Sequence, residues 1–118
     1  MEAKELRIGN LTECYINGEL KNKFHVVDAD DIKIFLNNDW YVLKPIPLTE
    51  EILLRFGFGK VVSHNSKLYA FDGFSVDANE SYCTICYKDI EITKIKFVHS
   101  LQNLYFSIKL KDLLCDNI

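Results

Sequence analysis

Residues 47–58, PLTEEILLRFGF, specify both ends of one short helix. Thr49 is placed to cap the N–H groups of the first turn, and Glu50 and Glu51 stand where the helix dipole favours negative charge. Leu48 and Leu53 occupy the N′ and N4 positions of a hydrophobic staple. Gly57 falls where a left-handed residue ends a helix, with Phe58 able to pack back on Leu53 in a Schellman arrangement. A helix of two turns is the result. On both sides of it the pattern is that of short strands and tight turns.

Ahead of the helix, ELRIGNL reads as a strand kinked at Gly9, and TECYI leads into Asn17-Gly18, the preferred dipeptide of a type I′ hairpin. FHVVD (24–28) and IKIFL (32–36) read as further strands on either side of a polar turn at 28–31. A second turn, Asn37-Asn38-Asp39, precedes the strand WYVLK (40–44). So many short strands within residues 1–46 predict an SH3-like small barrel or bent sheet.

After the helix, KVVS, KLYAF, FSV, SYCTICY and IEITKIKFV alternate with turns at 64–66, 72–73, 77–80 and 88–89, an antiparallel meander. Ile90 and Ile92 lie on one face of the last strand while Ile95 and Phe97 lie on the other. That switch predicts a bulge near Thr93–Lys94, or burial on both sides. In FVHSLQNLYFSI (97–108), Leu101, Leu104, Tyr105 and Ile108 share one helical face behind a Ser100 N-cap, giving a second helix near 100–109. The fold class is α+β, mostly antiparallel β, with two short helices near 50–56 and 100–109. Residues 1–118 read as one domain: a barrel-like half, 1–46, and a half, 47–118, holding the helix, the meander and the C-terminal helix.

The composition excludes several functions. No apolar run reaches the roughly 20 residues of a membrane-spanning helix, and the start MEAKELRIGN has no apolar core of a secretory signal. The cytoplasm is the default location. The formal charge is −3, without the basic stripe that phosphate neutralisation requires, so nucleic acid is not an expected partner. Of the four cysteines, Cys83 and Cys86 form a CxxC, but in SYCTICYKD, a strand context without Gly or Pro. Residues three apart on a strand point to opposite faces, so the thiols diverge instead of converging on a metal. No helix start follows to lower a thiol pKa for redox work. His25, His64 and His99 have no acid partner at telling spacing, and no phosphate-binding loop, nucleophile elbow or zinc-protease motif is present. No catalytic residue, cofactor or metal is expected.

Three stretches, KELRIGN (4–10), PIPLTEEILLRFGF (45–58) and IKFVHSLQNLYFSI (95–108), together resemble a group of small uncharacterised proteins encoded by phages and prophages of Bacteroidota-type bacteria. Members of that group usually carry Trp at the position of Ile52 and continue past the last motif with a Thr-Gly turn, where this chain reads SIKLKDLLCDNI. The resemblance implies a phage origin and a place in the host cytoplasm. It carries no activity, cofactor or catalytic residue across.

The functional expectation is therefore a non-enzymatic binding protein that occupies a host bacterial protein, with inhibition of a bacterial defence system as its specific form. Trp40 and Tyr41 are the anchor candidates, because aromatic residues dominate interface hot spots; for Trp40 the favoured alternative is a place in the barrel core. His99, Gln102 and Asn103 form a possible partner-binding group, weighed against a packing helix whose amides bond to loop backbone. The alternatives are a sponge for a small molecule or nucleotide signal, with only Arg7 and Arg55 to hold phosphate, and a metal-binding protein using the CxxC.

Overall fold

The computed structural model describes residues 1–61, 67–79 and 81–115. It forms two compact units, Met1–Ile46 with Phe97–Asp112, and Pro47–Lys96 with Leu113–Ile118. The C-terminal helix thus belongs to the same unit as residues 1–46, whereas the sequence pattern grouped it with 47–118.

The first unit contains strands β1 (Leu11–Ile16), β2 (Glu19–Val26) and β3 (Tyr41–Pro45), in the antiparallel order β2-β1-β3. Asn17 and Gly18 both have positive φ (52° and 81°), the type I′ turn the dipeptide predicts. Two one-residue register shifts interrupt the β1–β2 pairing. Such bulges bend a strand and discourage edge-to-edge pairing.

Two expected strands are absent. ELRIGNL (5–11) leaves a single 3₁₀ turn, Ala3–Glu5, as a loop that bends at Gly9 and reaches β1 only at Leu11. IKIFL belongs to a nine-residue helix, α1 (Ala29–Asn37), so the first unit is a three-stranded sheet with helices and not an SH3-like barrel. The reason is a reciprocal capping box. Asp31 N–H donates to Asp28 Oδ1 at 2.8 Å, and Asp28 N–H donates to Asp31 Oδ2 at 2.9 Å. The polar run 28–31 is a helix start, and the β-branched Ile32 and Ile34 follow it. Ile32, Ile34 and Phe35 then pack against the core of Cys14, Val27, Tyr41 and Leu43.

The last helix, α3 (Val98–Lys109), starts two residues earlier than expected, with Phe97 and not Ser100 as N-cap. Its buried face is also rotated from the expected one. Val98, His99, Leu101, Gln102 and Tyr105 are buried, while Leu104 and Ile108 are only half-buried.

In the second unit, α2 (Glu50–Arg55) forms as its ends dictate. Thr49 Oγ1 accepts from Ile52 N–H at 3.3 Å. At the other end Phe58 N–H donates to Leu53 C=O and Gly57 N–H to Leu54 C=O, both at 3.0 Å, with Gly57 at φ 95°. This is the Schellman pair of bonds, and it buries Phe58 and Leu53 together at the helix end. The meander follows as β4 (Gly59–Lys60), β5 (Leu68–Phe71), β6 (Phe74–Ala78), β7 (Cys83–Tyr87) and β8 (Ile90–Ile95), hydrogen-bonded in chain order. The expected turn at 64–66, with His64, lies outside the described residues. In β8 the register steps from Ile85↔Thr93 to Cys86↔Glu91, leaving Ile92 as the extra residue. The bulge lies one position before the expected one and accounts for the switch of faces.

Candidate functional site

Polar side chains of the first unit gather in two places, at the start of α1 and along α3. At the first, Asp31 is the hub. Its Oδ1 accepts the Tyr41 hydroxyl at 2.5 Å, and its Oδ2, already bonded to Asp28 N–H, lies 2.8 Å from His25 Nε2. Asp31 and Tyr41 are buried, and His25 is partly so. Burial by itself would raise the Asp31 pKa, but the bonds from Tyr41, the Asp28 amide and His25 outweigh it and hold the carboxyl below its usual range. Burial pushes the Tyr41 hydroxyl well above its ordinary value, helped by Asp31 and by Cys14. A single ionised carboxylate therefore ties β2, α1 and β3 together.

A histidine held by a carboxylate is the base-and-orienter half of a catalytic triad. Among the described residues no hydroxyl or thiol bonds to His25. What the hub does hold is the neighbour of Tyr41. The Trp40 ring meets the Tyr41 ring edge-on, with centroids 6.0 Å apart at 81°, and the Trp40 carbonyl accepts Asn17 N–H at 2.7 Å. Trp40 is nonetheless 48% exposed. It does not fill the core. Strand alternation at 40–44 admits two phases, and the core takes Tyr41 and Leu43, which leaves Trp40 outside.

On α3, Gln102 Oε1 accepts Leu11 N–H at 2.7 Å and its Nε2 donates to Gly9 C=O at 3.2 Å. Asn103 Oδ1 accepts from Asn10 Nδ2 at 2.8 Å, and Asn103 Nδ2 donates to Glu5 C=O at 3.0 Å. The Arg7 guanidinium lies over the Phe106 ring at 4.0 Å and bonds Asp112 at 3.1 Å. His99 stacks on Phe97 and approaches Glu5 Oε1 at 3.4 Å, while its Nδ1 is buried with no partner among the described residues. The amides bond to loop backbone. Of the five residues singled out for partner binding, Tyr41, His99 and Gln102 are buried and Asn103 is half-buried; Trp40 alone is exposed.

The CxxC thiols lie three residues apart on β7, on opposite faces, with Cys83 buried and Cys86 half-buried. Burial pushes the Cys83 thiol up, and Asp77 adds to the shift. No group of three or more metal-binding side chains converges among the described residues. No helix there is long and apolar enough to cross a membrane.

The residue that sequence reasoning missed is Asp31, read as part of a turn. Its signal was the Asp28-x-x-Asp31 spacing of a helix start. Comparison with known proteins found no match among family models, curated proteins or solved structures.

Proposed function

We propose that this is a non-enzymatic, phage-encoded protein that acts in the host cytoplasm by occupying a host protein, and that Trp40 is its anchor. The observation that supports the reading is a tryptophan half-exposed, its ring set edge-on against the Tyr41 ring and its backbone carbonyl tied to Asn17 N–H. A large aromatic side chain already fixed loses little further freedom on binding, which is the property of an interface hot spot. Inhibition of a bacterial defence system is the specific form of the proposal.

The test is affinity capture from host cells with the wild-type protein and with Trp40→Ala. One host protein should be retained in stoichiometric amount by the wild type and lost with Trp40→Ala at an unchanged melting temperature. Equal retention by both forms would remove Trp40 from the proposal, and no retained host protein would remove the proposal itself.

A further inference from the structure

The chain before β1 is fastened to α3 in an unusual way. Residues 3–8 bury little. The 3₁₀ turn contributes no buried residue, and Ile8 is 58% exposed. What fastens them is Leu6, half-buried against the core of Cys14, Val27, Tyr41 and Leu43, and a set of polar contacts to α3: Asn103 Nδ2 to Glu5 C=O, His99 to Glu5, and Arg7 to Phe106 and Asp112. Beyond them the chain is anchored differently. Asn10 is fully buried, its carbonyl accepts Val27 N–H at 2.9 Å, and Gly9 N–H donates to Val27 C=O at 2.8 Å. Gly9 separates the two regimes at φ 95°, with nothing within 4 Å of where a side chain would begin. Residues 3–8 are a strap that ends at Gly9, whose N–H and C=O are both held by the folded unit.

The strap lies over a histidine with no place for a second proton. His99 is 2% exposed. Neutral, it donates from Nε2 toward Glu5 and leaves Nδ1 as a bare acceptor. Protonated, it would carry a buried Nδ1–H with no acceptor, next to the positive end of α3. The charges facing it are the Glu5 carboxylate, which favours protonation, and the N-terminal ammonium, which opposes it. We propose that residues 3–8 are an acid-releasable strap, which leaves α3 when His99 gains a proton while the sheet of the first unit stays folded.

The direction agrees with the balance of forces on the ring. Burial dominates and lowers the His99 pKa from 6.5, against the pull of Glu5. A group whose docked pKa is depressed stabilises the docked state above its free pKa, and that stabilisation is lost as pH falls. The window therefore opens below about pH 6.5. Glu5, held below its usual range first by the Glu2 amide and then by His99, titrates in a separate and lower window.

Hydrogen exchange of the full chain, corrected for intrinsic rates, at pH 7.5, 6.5 and 5.5 tests this. The Leu6 and Arg7 amides, bonded to Ala3 C=O and Asn10 Oδ1, should lose protection by up to about tenfold per pH unit. The β1–β3 amides should keep theirs. His99→Phe should abolish the pH dependence. Glu5→Gln, which removes the group favouring the charged ring, should deepen the loss at pH 5.5. Protection in the wild type that is flat with pH, an acid loss that persists in His99→Phe, or equal loosening of the β1–β3 amides would each overturn the proposal. Should His99→Phe fail to fold, the Glu5→Gln profile decides alone.

Discussion

At Gln102 a single side chain serves two backbone groups, the N–H of Leu11 and the C=O of Gly9, from 91 and 93 residues away along the chain. Removing it leaves a buried donor without an acceptor. Gln102→Ala should cost about 1–3 kcal/mol in urea unfolding, because the expected bonds from this amide to loop backbone are made in a buried place. The rotation of α3 moves the leucines as well. Leu101, fully buried, should cost roughly 2–5 kcal/mol on truncation to Ala, and the half-buried Leu104 less than half of that. Equal losses at 101 and 104 would contradict the observed face. Asp31 makes a pH prediction. Its folded pKa lies below the ordinary 3.8, so the stability it contributes is complete above about pH 4 and fades as pH falls through the folded value. Asp31→Asn should lower stability at pH 7 and flatten the acid limb below about pH 4.

Among the elements, the hairpin turns differ in how well their residues suit them. The β1–β2 turn has Asn17-Gly18 and the β5–β6 turn Asp72-Gly73, but the β7–β8 turn places Lys88 and Asp89 at φ 50° and 68°. Lysine seldom adopts that conformation. Replacing the pair by Asn-Gly should stabilise the second unit by about 1 kcal/mol, seen as a raised melting temperature. At α2 the caps should behave in the opposite sense. Thr49→Ala should cost about 1 kcal/mol. Gly57→Val should cost more, because a side chain at φ 95° is strained and its Cβ would lie 3.3 Å from Phe71. Here the element was legible, because each cap acts on residues a few positions away. α1 was not, since Ile32 and Ile34 fit a strand as well as a helix, and only the Asp28–Asp31 box and the packing of Ile32, Ile34 and Phe35 choose between them.

For the whole molecule, each unit closes where the chain leaves and returns. In the first, Val98 N–H donates to Ile46 C=O; in the second, Leu48 N–H donates to Lys96 C=O, both at 2.9 Å. Residues 47–96 are thus inserted into the first unit, and their removal leaves adjacent ends. Residues 1–46 and 97–112 joined by a short Gly-Ser linker should fold cooperatively and keep the wild-type Trp40 fluorescence spectrum. Non-cooperative urea unfolding would show that the first unit needs the second. Nothing local announces this organisation, since the closing bond of the first unit joins residues 52 positions apart (98 − 46).

From the sequence alone came whatever neighbours in the chain decide: the Asn17-Gly18 turn, both ends of α2, the meander, the divergence of Cys83 and Cys86, and the need for a bulge in β8. These follow from φ preferences, capping bonds and strand periodicity, which act over one to five residues. Tertiary structure alone decided that α3 turns Gln102 inward and that Tyr41 and not Trp40 enters the core; at 29–37 it acted together with the local Asp28–Asp31 box. In each case the same residues fit two local patterns. The choice fell to a partner outside the pattern itself: the core that takes Ile32, Ile34 and Phe35 for α1, the Gly9 and Leu11 backbone for α3, and the hydroxyl bond to Asp31 that holds Tyr41 inside and leaves Trp40 facing water.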